Sequence, residues 1–448
     1  MSKIRQYFST FEITRGLLVS LFFSTFIYLD YWGLSSSFIN TILGLTALYL
    51  LLQEDKKVWF FSGAFIGLFW FWWIILSFKH YEMLWAIPIG LFFISLVYGL
   101  IFWLISYIAE KISLFVVDGT SKGSTRGAPQ PTSLILKSLG LLGLSYMHPM
   151  GFDWLKPELI FIESYLGIEK WQFAIVLLGI TLSIWKKNFL FLFIIIFAYQ
   201  AKQSRVNIDP IQSEIKIIAM HTTVKDKWNK ALHPKQFEKI FKHIDKAIDE
   251  NKTLIILPES VFPIFLNRSQ ELIDKLQKKS KYISIILGGL YWDGETPRNS
   301  TYIFTNNEIT VANKVLLVPF GESNPLPDFL SDWVNKVFYD DSVDYKASPN
   351  VIDYEIDGET YRNAICFEAT SEKLYAKDKN ENYPKNMIVL SNNGWFVPSI
   401  EPTLQKLLLQ YYSQKYGTII YHAANMSKSY VITNGKVEKS DLIKNSGA

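Results

Sequence analysis

The sequence predicts a multi-span α-helical membrane domain followed by an α/β domain whose helices cover its sheets. Three observations carry this. Charge is split along the 448 residues: positions 1–200 hold 14 Lys+Arg and 11 Asp+Glu, whereas the remainder hold 31 and 30. Before residue 200 the chain is a series of long apolar stretches joined by short polar loops. After Ser213 the hydrophobic period changes to short strands alternating with amphipathic helices. Composition excludes other classes. A chain that is 49% hydrophobic is not disordered, and one cysteine builds no disulfide framework. A scattered net charge of +4 gives no footprint for nucleic acid.

The membrane domain is expected over 1–200, with about seven spans near 15–33, 36–53, 58–78, 84–109, 133–149, 172–185 and 188–200. The first four are long enough to cross a bilayer core at roughly 20 residues each, and the last three need tilt, thinning or snorkelling. Basic residues fall in alternate loops: Lys3 and Arg5, Lys56 and Lys57, Lys111, Lys122 and Arg126, then Lys186 and Lys187. That asymmetry predicts a cytoplasmic N-terminus and puts everything after Gln200 outside the cytoplasm. The first span lacks a small-residue cleavage site and runs straight into others, so it reads as retained. Asp118–Ser133 reads as a flexible cytoplasmic loop. Lys137 is the one awkward charge, expected to snorkel from a span end. The loop Met147–Trp171 holds Gly151-Phe152-Asp153-Trp154 and reads either as an interfacial segment or as an ordinary aromatic belt.

The second domain is expected over 201–448. Strands are predicted at 215–223, 253–257, 282–291, 300–305, 311–318, 351–355, 360–366, 387–390, 418–423 and 429–432. Asp357-Gly358 marks a hairpin and Asn434-Gly435 a turn. Helices are predicted at 234–250, 271–281 and 404–416, the first from Phe237, Ile240, Phe241, Ile244 and Ile248 at helical spacing. No Cys/His cluster has metal-ligand spacing.

Three residues invite chemistry. Cys366 ends the apolar run Ala364-Ile365, where a thiol is either a nucleophile or a small buried hydrophobe. Glu259 closes the run Leu254–Leu257, where poor solvation raises a carboxyl pKa and suits a general base; an exposed loop acid is the plainer reading. Lys314 interrupts an apolar segment, which suits a cation that stabilises an oxyanion or an edge-strand lysine facing water. Glu322 follows in Phe320-Gly321-Glu322.

The segments Leu257-Pro258-Glu259-Ser260, Asn313-Lys314-Val315 through Gly321-Glu322, and Ile365-Cys366-Phe367-Glu368 resemble, in that order, the nitrilase (carbon–nitrogen hydrolase) superfamily. With membrane helices ahead of them, the chain resembles the apolipoprotein N-acyltransferase family. Ser391-Asn392-Asn393-Gly394-Trp395-Phe396 is similar to that family's Ser-Asn-Asp-Ala-Trp-Phe, and Gly151–Trp154 to its Gly-Phe-Pro-Trp. Phe367 stands where the family often has Tyr, and Asn393 where an acid is common. The tail after Asn434 is too polar for the family's final membrane helix.

The resemblance implies an αββα nitrilase-like sandwich and a Glu259–Lys314–Cys366 triad. Glu322 and Glu368 would be supporting acids, and Trp395, Phe396 and Phe367 would touch substrate. It implies ping-pong transfer of a fatty-acyl chain from a membrane phospholipid, through a Cys thioester, to the α-amine of a diacylglyceryl-cysteine apolipoprotein. This would occur at the bacterial inner membrane with the catalytic domain periplasmic. The chemistry needs no metal or organic cofactor. The alternative is a membrane-anchored amidase or nitrilase with water as acceptor, for which one span would suffice. A transporter or receptor is disfavoured because no span carries a pair of acids near its midplane.

Overall fold

The computed structural model describes residues 9–118, 130–147, 152–200, 214–319, 321–323, 345–378 and 380–438. The loop 119–129, Gly151, Phe320 and the polar tail 439–448 lie outside the described residues. The chain forms two compact units. One takes Met1–Met147, Leu155–Lys202 and Pro398–Leu407; the other takes His148–Trp154, Gln203–Val397 and Leu408–Ala448.

The first unit is helical: α1 (Thr10–Tyr31), α2 (Ser37–Gln53), α3 (Lys56–Phe71), α4 (Ile87–Asp118), α5 (Pro131–Leu144) and α6 (Lys170–Lys186), with 3-10 segments at Trp72–Lys79 and Phe189–Ala198. Helix α1 begins at a capping box, in which Ser9 Oγ accepts from Glu12 N and the Glu12 carboxylate accepts from Ser9 N. Helices α3 and α4 pack at Gly63, where any Cβ would sit 2.4 Å from the Tyr98 carbonyl oxygen. Among the described residues, three helical runs are long and apolar enough to cross a membrane: Thr10–Tyr31, Lys56–Lys79 and Leu84–Val116. The stretch expected at 36–53 folds as a 17-residue helix, so it falls short of them.

Lys137 does not snorkel. It is 4% exposed, and its Nζ donates to the Glu54 carbonyl at 2.6 Å and lies 3.9 Å from Glu110. The reason is local: Glu54 caps α2 with an accessible carbonyl, and a buried ammonium takes the nearest acceptor.

The second unit is a four-layer sandwich. The first sheet runs β1 (Ile215–Ile217), β2 (Leu254–Ile256), β4 (Ser284–Trp292), β5 (Pro297–Thr305) and β6 (Glu308–Asn313), with β3 (Phe262–Phe265) also on β4. The second runs β12 (Lys436–Val437), β11 (Tyr430–Thr433), β10 (Ile419–Asn425), β9 (Asn386–Asn392), β8 (Glu359–Ile365) and β7 (Asp353–Ile356). Period-2 alternation sends Ile256, Ile286 and Ile303 of one sheet against Ile388, Leu390 and Tyr421 of the other, forming one buried core. The opposite face of the first sheet is covered by α8 (His233–Asp249) and α9 (Gln270–Lys279), whose Ile240, Ile244 and Leu276 join Ile255, Ile285 and Leu287. The outer face of the second sheet is also buried. There α10 (Glu401–Tyr416) reaches the β11–β12 turn, Gln410 Nε2 donating to the Gly435 carbonyl at 2.9 Å.

Direction matters for function. Strands β1, β2 and β4 are parallel, and β6 shares their sense through two antiparallel pairings. Strands β8, β9 and β10 are parallel in the other sheet. A bridge between Met220 and Asn425 joins the extension of β1 to the end of β10, so the C-terminal strand edges of both sheets meet.

The strand expected at 311–318 ends instead at Asn313. Lys314 N donates to the Asn299 carbonyl, but the next two amides, Val315 N and Leu316 N, donate to the Glu368 carboxylate at 2.7 and 3.1 Å. A side chain takes the donors a ladder would use. Strand β3 was not foreseen, because Pro263 interrupts its apolar run.

Candidate active site

Glu259, Lys314 and Cys366 each follow the last residues of a strand, at the shared edge just described. Glu259 leaves β2 through Leu257-Pro258, and Ser260 beside it takes a left-handed φ of 49°. This turn lies directly on β4. A Cβ on Gly288 would come within 2.4 Å of Ser260 N and 2.6 Å of Glu259 Cα, so only glycine fits there.

Glu259 is 7% exposed, and its Oε1 accepts from Asn299 Nδ2 at 2.7 Å. The same Nδ2 donates to Glu322 Oε1 at 3.0 Å. Lys314 Nζ donates to Glu322, 2.9 Å from Oε1 and 2.7 Å from Oε2. Glu322 is oriented in turn by Val318 N, which donates to its Oε2 at 2.9 Å. Asn299 thus clasps both carboxylates from β5, and Lys314 neutralises one of them.

Electrostatics sort the roles. Burial raises the Glu259 carboxyl above its ordinary range and Glu322 adds repulsion, against the opposing pull of Lys314, Asn299 and Lys227. Lys314 is 1% exposed. Burial pushes its pKa down, but Glu322, Glu259, Cys366 and Glu368 together carry it above its ordinary value, so the ammonium keeps its proton. The thiol is therefore within electrostatic reach of Lys314.

Cys366 adopts a left-handed backbone, φ 54°, between Ile365 of β8 and a 3-10 turn, Cys366–Thr370. A non-glycine residue held there stores strain, a pattern found where a nucleophile is lifted off a strand end. Glu368 holds the turn. Its Oε1 accepts from Ile365 N at 2.7 Å while Oε2 takes Val315 N and Leu316 N, so one buried carboxylate ties the Lys314 loop to the Cys366 turn. Burial pushes Glu368 up to about 7, against Lys314 and the three amides, which favour its anion.

Trp154 braces the same turn. Its Nε1 donates to Thr370 Oγ1 at 2.6 Å, and Thr370 Oγ1 donates to the Phe367 carbonyl at 2.7 Å. Phe152, Trp154 and Phe367 stack with ring centroids 5.7 to 6.4 Å apart. Phe367, expected at substrate, is buried in this stack. Trp395 and Phe396 are half-buried beyond the end of β9, on the sheet edge that also carries Cys366.

Two residues at this site escaped the sequence reading. Asn299 sits in the polar run Arg298-Asn299-Ser300-Thr301 and looks like any edge-strand residue. Lys227 ends α7 (Val224–Lys227), inside a charge-rich segment that reads as solvated, yet its Nζ donates to the Glu259 carbonyl at 3.1 Å. By contrast, an apolar groove of about 430 Å³ in the first unit, lined by Leu45, Ile180 and Ile195 among others, presents no carboxylate, amine or thiol.

The family model described as the apolipoprotein N-acyltransferase integral membrane domain matches residues 10–203. Relatives named apolipoprotein N-acyltransferase include that of Wolinella succinogenes, 38% identical over 423 residues, spanning 93% of this chain and 95% of the relative. Those of Helicobacter hepaticus (32% identical; 92% and 98% spanned) and Helicobacter pylori (31%; 90% and 91%) are also similar. Among solved structures, a CN-hydrolase superfamily protein of Xanthomonas campestris is 14% identical with a TM-score of 0.35, over 50% of this chain and 84% of that one. An amidase from Nesterenkonia is 12% identical with a TM-score of 0.37, over 50% and 83%. The first unit is an integral membrane domain, and the chain belongs to the apolipoprotein N-acyltransferase family.

Proposed function

We propose that this chain moves a fatty-acyl group from a membrane phospholipid to the α-amine of an N-terminal diacylglyceryl-cysteine on an apolipoprotein, by way of a thioester on Cys366. The observation that carries the reading is the hydrogen-bonded set Glu259–Asn299–Glu322–Lys314, gathered at the strand edge where Cys366 is lifted on a left-handed turn.

Glu259, poorly solvated and so a stronger base than an ordinary carboxylate, takes the Cys366 proton. The thiolate adds to the ester carbonyl, and Lys314 faces the negative charge that develops on oxygen. The C–O bond then breaks, the lysophospholipid oxygen takes the proton from Glu259, and the acyl chain remains as a thioester. The acceptor amine adds to that thioester and gives its proton to Glu259. The C–S bond breaks, the thiolate recovers the proton and the amide leaves. Glu322 holds Lys314 in place, and Glu368 fixes the spacing between the Lys314 loop and the Cys366 turn. Trp395 and Phe396 contact the acyl chain from the end of β9, and Phe367, next in sequence to the thiol, borders the same substrate site.

We further infer about seven membrane passes through a bacterial inner membrane, an N-terminus in the cytoplasm and a periplasmic catalytic domain. The alternating Lys and Arg loops support this. The reading is tested by incubating detergent-solubilised protein with phospholipid and a diacylglyceryl-cysteine peptide. Wild type is expected to N-acylate the peptide, and Cys366→Ser to give none above background. Undiminished N-acylation by Cys366→Ser overturns the proposal.

A further inference from the structure

Lys227 is a buried cation with no part in the steps above. It is 3% exposed, and its Nζ donates to the main-chain carbonyl of Glu259 at 3.1 Å. That carbonyl belongs to the turn whose next residue, Ser260, is held at positive φ. The lysine is itself anchored. Thr223 Oγ1 caps its one-turn helix by accepting from Asp226 N, and the Lys227 carbonyl meets His233 Nε2 at 3.2 Å. Beside it, Met220, Thr222, Val261 and Asn425 line a small enclosed cleft.

The charge count gives this lysine a purpose. Among the described residues, Lys314 is the other cation that acts on Glu259, Glu322 and Glu368. Passing the thiol proton to Glu259 leaves the net charge unchanged but moves a negative charge onto sulfur, in a site where acids are in excess among the described residues. Burial lowers Lys227 to about 8, with Glu259 and then Cys366 pulling the other way, so it is cationic at neutral pH and close enough to both groups to be felt. A structural lysine would suffice to hold the carbonyl. A buried ammonium beside two groups that exchange a proton also biases where that proton sits.

We propose that Lys227 is a positioning residue with an electrostatic share in catalysis: it fixes the Glu259 turn through the main-chain carbonyl and favours the charged forms of Glu259 and Cys366. The groups that face it are Glu259 and Cys366 by charge and His233 through its own carbonyl. Lys314 and Glu322 also act on Glu259, and Lys314 is in turn felt by Cys366 and Glu368. This inference rests on the proposed thioester chemistry for its consequence, but its physical content does not need a substrate.

The experiment exploits the single cysteine. The rate of iodoacetamide alkylation of the full-length protein in detergent, measured against pH, reads Cys366 ionisation without any lipid. Acyl-enzyme formation from phospholipid, measured across the same pH range, reads the Glu259–Cys366 pair. For Lys227→Met, both profiles are expected to move to higher pH by about one unit, roughly a tenfold rate loss on the acid limb. Lys227→Arg keeps the charge and is expected to keep the midpoints, whatever its absolute rate.

Lys227→Gln retains a donor for the Glu259 carbonyl and loses only the charge, so it is expected to shift like Met; it also serves if Lys227→Met fails to fold. A lowered rate with unmoved midpoints in Met and Gln would make Lys227 purely structural and overturn the proposal. So would an Arg variant that shifts as far as Gln. If wild type forms no acyl-enzyme, the thioester reading fails, while the alkylation profiles still decide the role of Lys227.

Discussion

Lys137 and Lys314 are both almost fully buried, and both lie among carboxylates, yet they serve different ends. Lys137, in the helical unit, donates to the Glu54 carbonyl and sits 3.9 Å from Glu110, which also pairs with Lys56 at 3.2 Å. Arg15 pairs with the Glu54 side chain. Glu54 and Lys56 sit at helix ends and Arg15, Glu110 and Lys137 within α1, α4 and α5, and these charges close on one another, tying α1 to α5 together. Lys314 sits at a strand edge where, among the described residues, acids outnumber cations, within reach of a thiol on a strained turn. A buried charge is therefore not a sign of chemistry by itself. Surplus charge of one sign beside a thiol is the more telling feature.

Substituting each lysine tests that contrast. Lys314→Met is expected to lower acyl transfer by about 10²–10³-fold or more per folded molecule, the scale of losing a preorganised oxyanion donor. Lys137→Met is expected to cost about 1.5–3 kcal/mol of stability, the worth of a charged hydrogen bond, seen as a lower unfolding temperature in detergent. Its turnover per folded molecule should stay within about twofold. Equal loss of turnover in both variants would erase the distinction.

Glu259→Gln is expected to slow acyl-enzyme formation by about 10²–10⁴-fold. In wild type the acid limb should lie above the ordinary carboxylate range, because burial raises Glu259 and the protonated acid accepts no proton. Formation is therefore complete above that pKa and lost as pH falls through it. An acid limb in the usual aspartate and glutamate range would contradict the burial argument. Gly288→Ala touches no reacting group, yet its Cβ has no room beneath the Glu259 turn. Displacing that turn is expected to cost about 10²-fold in rate. The smallest effect belongs to Trp154→Phe, which keeps the stack on Phe367 and removes one donor to Thr370, worth about 1 kcal/mol or roughly fivefold in the population of the competent turn. A Trp154→Phe rate equal to wild type would show that the brace is redundant.

What was legible in the sequence follows from how local each signal is. Runs such as Leu254–Leu257 and Ala364–Ile365 announce strands, so the ends at Glu259 and Cys366 were readable from neighbours alone. The Lys314 segment misled, because Val315 and Leu316 have strand-like side chains while their amides go to Glu368, 52 residues or more further along. Asn299 and Lys227 carry no local mark at all. Each matters only because β5 lies between β4 and β6, or because α7 comes to rest on the Glu259 turn. In the helical unit, the apolar stretches told where helices run but not their lengths: α4 extends to Asp118, and the last stretch folds as a 3-10 segment.

Intact-mass analysis of the purified protein after incubation with phospholipid, without any acceptor peptide, tests the central claim most directly. A single hydroxylamine-labile fatty-acyl adduct on Cys366 is expected in wild type, absent in Cys366→Ala and strongly reduced in Glu259→Gln. An enzyme that N-acylates peptide while never carrying an acyl group on Cys366, or a Glu259→Gln protein that acylates as fast as wild type, would contradict it.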